Sequence, residues 1–167
     1  DVEPAAFRSG RWGINGECLA LLLENSITID SSVYPFFKND YFSCESAPVL
    51  PYWPHFDDTN RASAQREIME IPVTAGFNRP SFYRLNRLHN LVIKPPFSWL
   101  RINAMLWHSK LLRKIYLSHE LHSGDDMIAL VKTCVESGHS LLHMNLHSSS
   151  LIEGVTGLTQ VANARES

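Results

Sequence analysis

The sequence has 167 residues, of which 44% are hydrophobic and 19% are charged, and its formal net charge at pH 7 is −2. A chain of this length and composition can bury one hydrophobic core, so we expect a single domain over residues 1–167. The charge provides no basic surface for a nucleic acid or an anionic membrane. No run of about 18 apolar residues is present that could span a bilayer. We therefore expect neither a nucleic-acid partner nor a membrane span.

The first half of the chain alternates short apolar runs with one helical pattern. We predict a strand at residues 5–8, a helix over "NGECLALLLENS" that begins at Asn15, and a short strand in "ITIDSSV". Residues 34–66 contain four prolines and show no hydrophobic period. They predict a long irregular loop on the surface, and the segment "REIMEIPVT" then returns to a strand pattern.

The second half continues the alternation of helices and strands. We predict helices around residues 80–91 and 97–111, a strand in "KIYLS", and a helix over "GDDMIALVKTCVESG" that ends at Gly138. We predict the last strand in "HSLLHMNLHSSSLIEG". Because side chains alternate along a strand, one face would be apolar and the other would carry hydrogen-bonding groups, with Leu142, Met144 and Leu146 opposite His143, Asn145 and His147.

This order of elements predicts an α/β fold with mainly parallel strands. The last strand favours a barrel over an open sheet, because the inner face of a barrel turns polar near the mouth where chemistry occurs. We therefore predict an incomplete, distorted (β/α) barrel. The alternative is that the polar face holds ordinary core side chains with local hydrogen bonds.

Four segments, "AAFRSGRWGIN", "ITIDSSVYP", "MEIPVTAGF" and "NLHSSSLIEG", carry a resemblance to a known family. In this order and spacing they resemble the C-terminal part of a polysaccharide deacetylase of the NodB-homology type, carbohydrate esterase family four, and in particular its WalW-type branch. The resemblance covers nearly the whole chain and is loose only in residues 34–66 and 80–111. It implies a bacterial protein with a distorted barrel of the NodB-homology type and a divalent metal, zinc, at its mouth.

The resemblance implies three catalytic residues. His147 would be the general acid to the departing amine, Asp30 would hold that histidine in its useful tautomer, and Arg8 would orient the catalytic base. A guanidinium suits this role because its fixed geometry can hold a carboxylate with two hydrogen bonds. Arg11 is the alternative to Arg8 for the same role.

Substrate contacts are expected next to these positions. The family usually has proline and tyrosine after the arginine, and this chain has Gly10, Arg11 and Trp12 instead. Trp12 would offer a flat apolar face to a sugar ring, or else be a core residue. Ser148 stands where the family often has aspartate, beside His147, and would contact the substrate together with Arg11.

No metal ligands are predicted within this chain. The family takes them from a Thr-Phe-Asp-Asp-Gly strand end and a His-x-x-x-His pair, which precede this part of the domain, so we expect the ligands outside this segment. The sequence "HFDDTN" at residues 55–60 follows no predicted strand. In "SHELH", His119 and His122 are three residues apart, whereas the zinc motif on a helix needs four.

The functional expectation is part of a metal-dependent deacetylase that hydrolyses N-acetyl groups on a polysaccharide. This segment alone would be inactive. One alternative is a non-catalytic carbohydrate-binding barrel, and the other is a glycoside hydrolase that uses Asp30 and Glu70 as paired carboxylates. The compartment stays open between the bacterial cytoplasm and the cell envelope.

Overall fold

The structure is a computed structural model that describes residues 3–151. This part of the chain is mixed α/β, with four α-helices: α1 Gly16–Glu24, α2 Phe82–Val92, α3 Ile102–His108 and α4 Gly124–Glu136. Its strands are β1 Ala6–Phe7, β2 Ile29–Asp30, β3 Pro54–His55, β4 Asp58–Ala62, β5 Met69–Glu70, β6 Ala75–Phe77 and β7 Lys114–Tyr116. The described residues divide into two compact units, the first with residues 3–75 and 141–143, the second with residues 76–140 and 144–151.

The first unit contains a three-stranded parallel sheet in the order β1-β2-β5. Phe7 lies opposite Asp30, and Asp30 lies opposite Glu70, so the three strands end at one edge. We call this edge, with Arg8, Asp30 and Glu70, the carboxyl edge. The predicted α/β class with a parallel sheet is confirmed, and within residues 3–151 no closed barrel is found.

Helix α1 packs beside this sheet and begins where the sequence predicts. The side chain of Asn15 accepts a hydrogen bond from the backbone N–H of Cys18 at 2.9 Å, which satisfies one of the free donors of the first turn. Leu19 and Leu22 are buried in a cluster with Ile68. Each such side chain contributes about 1.5–3 kcal/mol by leaving water, so this cluster holds the helix in place.

Residues 34–66 differ from the predicted surface loop. They include an antiparallel hairpin of β3 and β4, and several of their aromatic residues are buried. Tyr52 exchanges two backbone hydrogen bonds with Glu70, at 3.0 and 2.8 Å, and so covers the open side of β5. The sequence did not indicate the hairpin, because β3 and the isolated bridges use too few residues to produce a hydrophobic period and the five residues of β4 are mostly polar.

The second unit holds the remaining three helices, strand β7 and, from Gly76 onward, strand β6, which pairs with β7 in a two-stranded sheet. Ser123 caps the N-terminus of helix α4, because its hydroxyl accepts from the backbone N–H of Asp126 at 3.3 Å. The helix is followed by Gly138, which has a positive φ of 83°. The helix predicted at 97–111 is a short 3₁₀ helix, Phe97–Leu100, followed by α3, because Arg101 between them is left-handed.

The predicted last strand is wrong, because residues 141–147 contain no strand, while residues 152–154 of that segment lie outside the described residues. In the first unit, the backbone N–H of Thr74 donates to the carbonyl of His143, and the backbone N–H of His143 donates to the Thr74 hydroxyl. In the second unit, Asn145 donates to the carbonyl of Leu117 at 3.1 Å. Asn145 is buried, as the alternation predicts. Met144 and Leu146 are exposed, contrary to the expected packing on helices.

Candidate active site

Two buried carboxyl groups face each other at the carboxyl edge of the first unit. Asp30 and Glu70 are directly opposite in register, are hydrogen-bonded through their side chains, and have 0% and 1% of their surface exposed. Burial raises the pKa of Glu70 well above its ordinary value, and the hydrogen bond and negative charge of Asp30 raise it further. Burial and a neighbouring carboxyl group both disfavour the charged form, so the raised pKa favours the protonated form of Glu70.

The hydrogen bonds around this pair indicate which group carries the proton. Asp30 accepts from the Ser32 hydroxyl at 2.7 Å and from the Ser32 backbone N–H at 3.3 Å. Glu70 accepts at Oε1 from the backbone N–H of Val33 at 3.0 Å, and the backbone N–H of Ser32 also lies near its carboxyl group. Its Oε2 is buried and receives no hydrogen bond from a described donor. Burial and the neighbouring carboxyl group of Asp30 both disfavour a negative charge on Glu70, so we assign the proton to Glu70.

A serine and a histidine form a second polar contact in the same unit. The Ser31 hydroxyl lies 3.0 Å from Nδ1 of His143 and donates its hydrogen to the carbonyl of Ile71 at 2.9 Å. Nδ1 must therefore carry the hydrogen of the ring and donate to Ser31. Burial lowers the pKa of His143, and the charge of Arg8 lowers it further. His143 is thus a neutral imidazole at pH 7 with a lone pair on Nε2, and sequence reasoning gave it no catalytic role.

The predicted arginine and tryptophan lie together after β1. The Arg8 guanidinium is exposed and sits 4.9 Å from the centroid of the Trp12 ring, which stacks on Tyr34 at 4.7 Å. Trp12 has a positive φ of 61°. Among the described residues Arg8 makes no ion pair, so its predicted carboxylate partner stays a prediction. Arg8 and Tyr34 both contact the Trp12 ring, so a sugar ring that stacks on Trp12 would compete with them.

A cleft of about 610 Å³ opens in the first unit beside the N-terminus of α1. Arg11, predicted to contact substrate, lines this cleft together with Ser9, Asn15 and Asn39. Tyr41 also lines it and has 87% of its surface exposed. Flat aromatic rings with adjacent amides and a guanidinium are suited to a ring-shaped polar ligand. No sequence pattern indicated Tyr41, because it lies within residues 34–66, which show no hydrophobic period.

The predicted general acid lies in the second unit, where its partner is a residue that the sequence did not indicate. The His147 ring is exposed, and its Nδ1 lies 2.8 Å from Oε2 of Glu120. The resemblance assigned this role to Asp30, whose described side-chain partners are Ser32 and Glu70. Ser148 follows His147 as an exposed residue at the start of the 3₁₀ helix Ser148–Leu151.

The described residues do not form a metal site by themselves. Within residues 3–151, no group of three or more histidine, cysteine, aspartate or glutamate side chains is placed to hold an ion. In "SHELH", His119 is hydrogen-bonded to Ser150 at 3.0 Å and Glu120 is occupied by His147. The divalent metal with ligands outside this segment therefore stays a prediction, and we derive no step of the chemistry from it.

Comparisons with protein-family models, with curated protein sequences and with solved structures find no match to this chain. No helix in the described part of the chain has the length and apolar character needed to cross a membrane. The resemblance to polysaccharide deacetylases rests on the four sequence segments named above.

Proposed function

We propose that this chain is the C-terminal part of a metal-dependent polysaccharide deacetylase, with a distorted (β/α) barrel of the NodB-homology type. The observation that carries the proposal is the position of Arg8 and Asp30. Both stand at the carboxyl ends of neighbouring parallel strands, β1 and β2. In α/β proteins with parallel strands, catalytic residues come from this end. The motif arginine and the motif aspartate therefore share the edge that the chemistry requires.

In the proposed reaction, each residue of this chain has a limited task. When bound, the metal would polarise the acetamide carbonyl and activate a water. Arg8, which is exposed and has no ion-pair partner among the described residues, orients the carboxylate that accepts the proton of that water. His147 donates a proton to the sugar nitrogen as the bond to the acetyl carbon breaks. Asp30 and Glu70 hold their shared proton and keep the carboxyl edge ordered.

The substrate would be a polysaccharide or an oligosaccharide with N-acetylated sugars. We place part of it in the cleft lined by Arg11 and Tyr41. The Tyr41 ring is free to stack on the apolar face of a sugar, and Arg11 can donate to its hydroxyl or carbonyl oxygens. Trp12 and Ser148 remain predicted substrate contacts.

The glycoside hydrolase alternative is disfavoured by the geometry of Asp30 and Glu70. Glycosidases need two carboxyl groups about 5–9.5 Å apart, with the sugar between them. Here the two groups are hydrogen-bonded to each other and buried. A sugar ring cannot enter between them. The non-catalytic carbohydrate-binding barrel is the second candidate, since the cleft with Tyr41 would serve binding without any metal.

Acetate release from a soluble N-acetylglucosamine oligosaccharide tests the proposal. The longer protein that the proposal implies should release acetate with added zinc and should lose this activity with a chelator. Its Arg8→Ala and His147→Ala variants should lose about 10²–10⁴-fold of the rate. The 167-residue chain alone should not turn over the sugar even with zinc.

Two results would contradict different parts of the proposal. Turnover by the 167-residue chain alone would contradict the claim that the site needs a further segment. Binding of the oligosaccharide by the longer protein without any acetate release would favour the non-catalytic barrel.

A further inference from the structure

We propose that Glu120 is the positioning residue for His147 and makes Nε2 the ring atom that transfers the proton. This inference rests on the proposed function for its catalytic meaning. Its structural content, which ring nitrogen carries the hydrogen, can be measured independently of any activity.

Three contacts connect Glu120 to His147 within the second unit. The backbone N–H of His147 donates to Oε1 at 2.7 Å. The ring atom Nδ1 lies 3.1 Å from Oε1 and 2.8 Å from Oε2. One carboxylate thus holds both the backbone and the ring of the same residue, which restricts the rotation of the imidazole.

The two side chains differ in exposure in the way that a proton-transfer pair requires. The Glu120 side chain has 6% of its surface exposed, whereas the His147 side chain has 60%. The carboxylate therefore lies inside and the imidazole extends outward. A substrate can reach the outer part of the ring without displacing the carboxylate.

The charge of Glu120 determines the tautomer of the histidine. An ionised carboxylate only accepts hydrogen bonds, so Nδ1 must carry a hydrogen when it faces Glu120. Nε2 then holds the lone pair in the neutral ring and the transferable proton in the charged ring. Proton transfer therefore occurs at Nε2, which is the role that a carboxylate partner gives a histidine in other enzymes.

The surroundings of Glu120 keep it ionised. Burial alone would raise its pKa, but hydrogen bonds from the backbone N–H and the ring of His147 outweigh burial and lower the pKa. The Ser150 hydroxyl donates to the carbonyl of His147 at 2.6 Å, which fixes the segment that carries the ring. An anion of this kind accepts from Nδ1 at any pH near neutrality.

The competing explanation is that Glu120 only pins the backbone of His147. Nitrogen-15 NMR of the histidine rings in the 167-residue chain separates the two roles. His147 should show the Nδ1–H tautomer in the wild-type chain. In Glu120→Gln the amide oxygen can still accept from the backbone N–H, while the amide nitrogen can donate to Nδ1, so the ring should change to the Nε2–H tautomer.

Two control variants make this result specific. Glu136→Gln removes an exposed glutamate of α4 and should leave the His147 tautomer unchanged. Asp30→Asn removes the carboxylate that the resemblance assigned to this histidine and should also leave it unchanged. A Glu120→Gln chain that keeps the Nδ1–H tautomer would overturn the proposal, and so would a change of tautomer in Asp30→Asn.

In the longer protein, Glu120→Gln should lower kcat by about 10–100-fold with little change in KM, as expected for a residue that orients a catalytic group. In a His147→Ala background the same substitution should have almost no further effect. An equal loss in both backgrounds would overturn the positioning role. If the tautomer changes as expected but the wild-type longer protein releases no acetate, the deacetylase proposal fails and the Glu120 assignment stands.

Discussion

Glu70 is hydrogen-bonded to Asp30 across the neighbouring parallel strands β2 and β5, and both carboxyl groups are buried. The raised pKa of Glu70 means that the folded chain binds a proton over a range of pH above 4.5 in which the unfolded chain does not. The first unit therefore has a pH-dependent stability that originates at the centre of its sheet.

Replacement of Glu70 by glutamine tests this shared proton. In the wild-type chain the stabilising contribution is fully present below the ordinary glutamate pKa of 4.5 and is lost as the pH rises toward the raised pKa of the folded state. The glutamine amide donates to Asp30 permanently and its oxygen still accepts from Val33. Glu70→Gln should therefore be more stable than wild type by on the order of 1–3 kcal/mol at pH 8 and similar to it near pH 4.

Urea unfolding measured at several pH values gives the difference between the two proteins. Glu67→Gln is the matched control, because Glu67 is an exposed glutamate three residues earlier. Glu67→Gln should keep the wild-type dependence of the free energy of unfolding on pH. If the free energy of unfolding of Glu70→Gln depends on pH as in wild type, no proton is shared between Glu70 and Asp30.

Gly16 should not tolerate alanine, although alanine favours helices. A Cβ at Gly16 would lie 2.0 Å from the backbone oxygen of Phe56, whereas one at Gly10 would meet nothing within 4 Å. The helix propensity of alanine contributes at most about 1 kcal/mol, and the forced shift of a backbone costs about 1–3 kcal/mol. Thermal unfolding should show a lower melting temperature for Gly16→Ala and little change for Gly10→Ala.

The ion pair between Arg113 and Asp126 should contribute to the stability of the second unit. Burial alone would raise the pKa of Asp126, but hydrogen bonds from Arg113 and Ser123 outweigh burial and lower it. A lowered pKa gives stability that is present above the ordinary value of 3.8 and is lost as the pH falls through the folded-state pKa. Asp126→Asn should therefore lose about 1.5–3 kcal/mol at pH 7, and this loss should shrink below pH 3.8.

Asp125→Asn provides the control for that measurement, because Asp125 lies in the same first turn of α4 and is exposed. It removes the same charge near the helix N-terminus and should lose only about 0.3–1 kcal/mol. Equal losses of unfolding free energy in the two variants would mean that Asp126 contributes through the helix dipole and not through its ion pair with Arg113.

Tyr41 should contribute to sugar binding in the cleft of the first unit. Removal of a stacking ring costs about 0.5–1.5 kcal/mol, so Tyr41→Ala should weaken binding of an N-acetylglucosamine oligosaccharide by about 2–10-fold in an NMR titration. Tyr83→Ala, at another exposed tyrosine, should leave the affinity unchanged. An unaltered affinity in Tyr41→Ala would place the sugar elsewhere.

The sequence by itself determined the elements whose signals are local. Helix α1 begins after Asn15 and α4 after Ser123, because a cap and its helix are neighbours in the chain. Ile29–Asp30 was predicted as a strand for the same reason, since an apolar run before Ser31 is a local pattern. These elements were sufficient to predict an α/β fold with parallel strands.

Only the tertiary structure decided which polar groups meet. Asp30 pairs with Glu70, 40 residues away, and His147 pairs with Glu120, 27 residues away. No spacing rule links such positions, because their proximity depends on strand register and on how helices and loops pack. The burial of aromatic residues within 34–66 was likewise undetermined by sequence, since isolated bridges and ring contacts leave no period. The local sequence therefore placed the candidate catalytic residues on their elements, and long-range packing selected their partners.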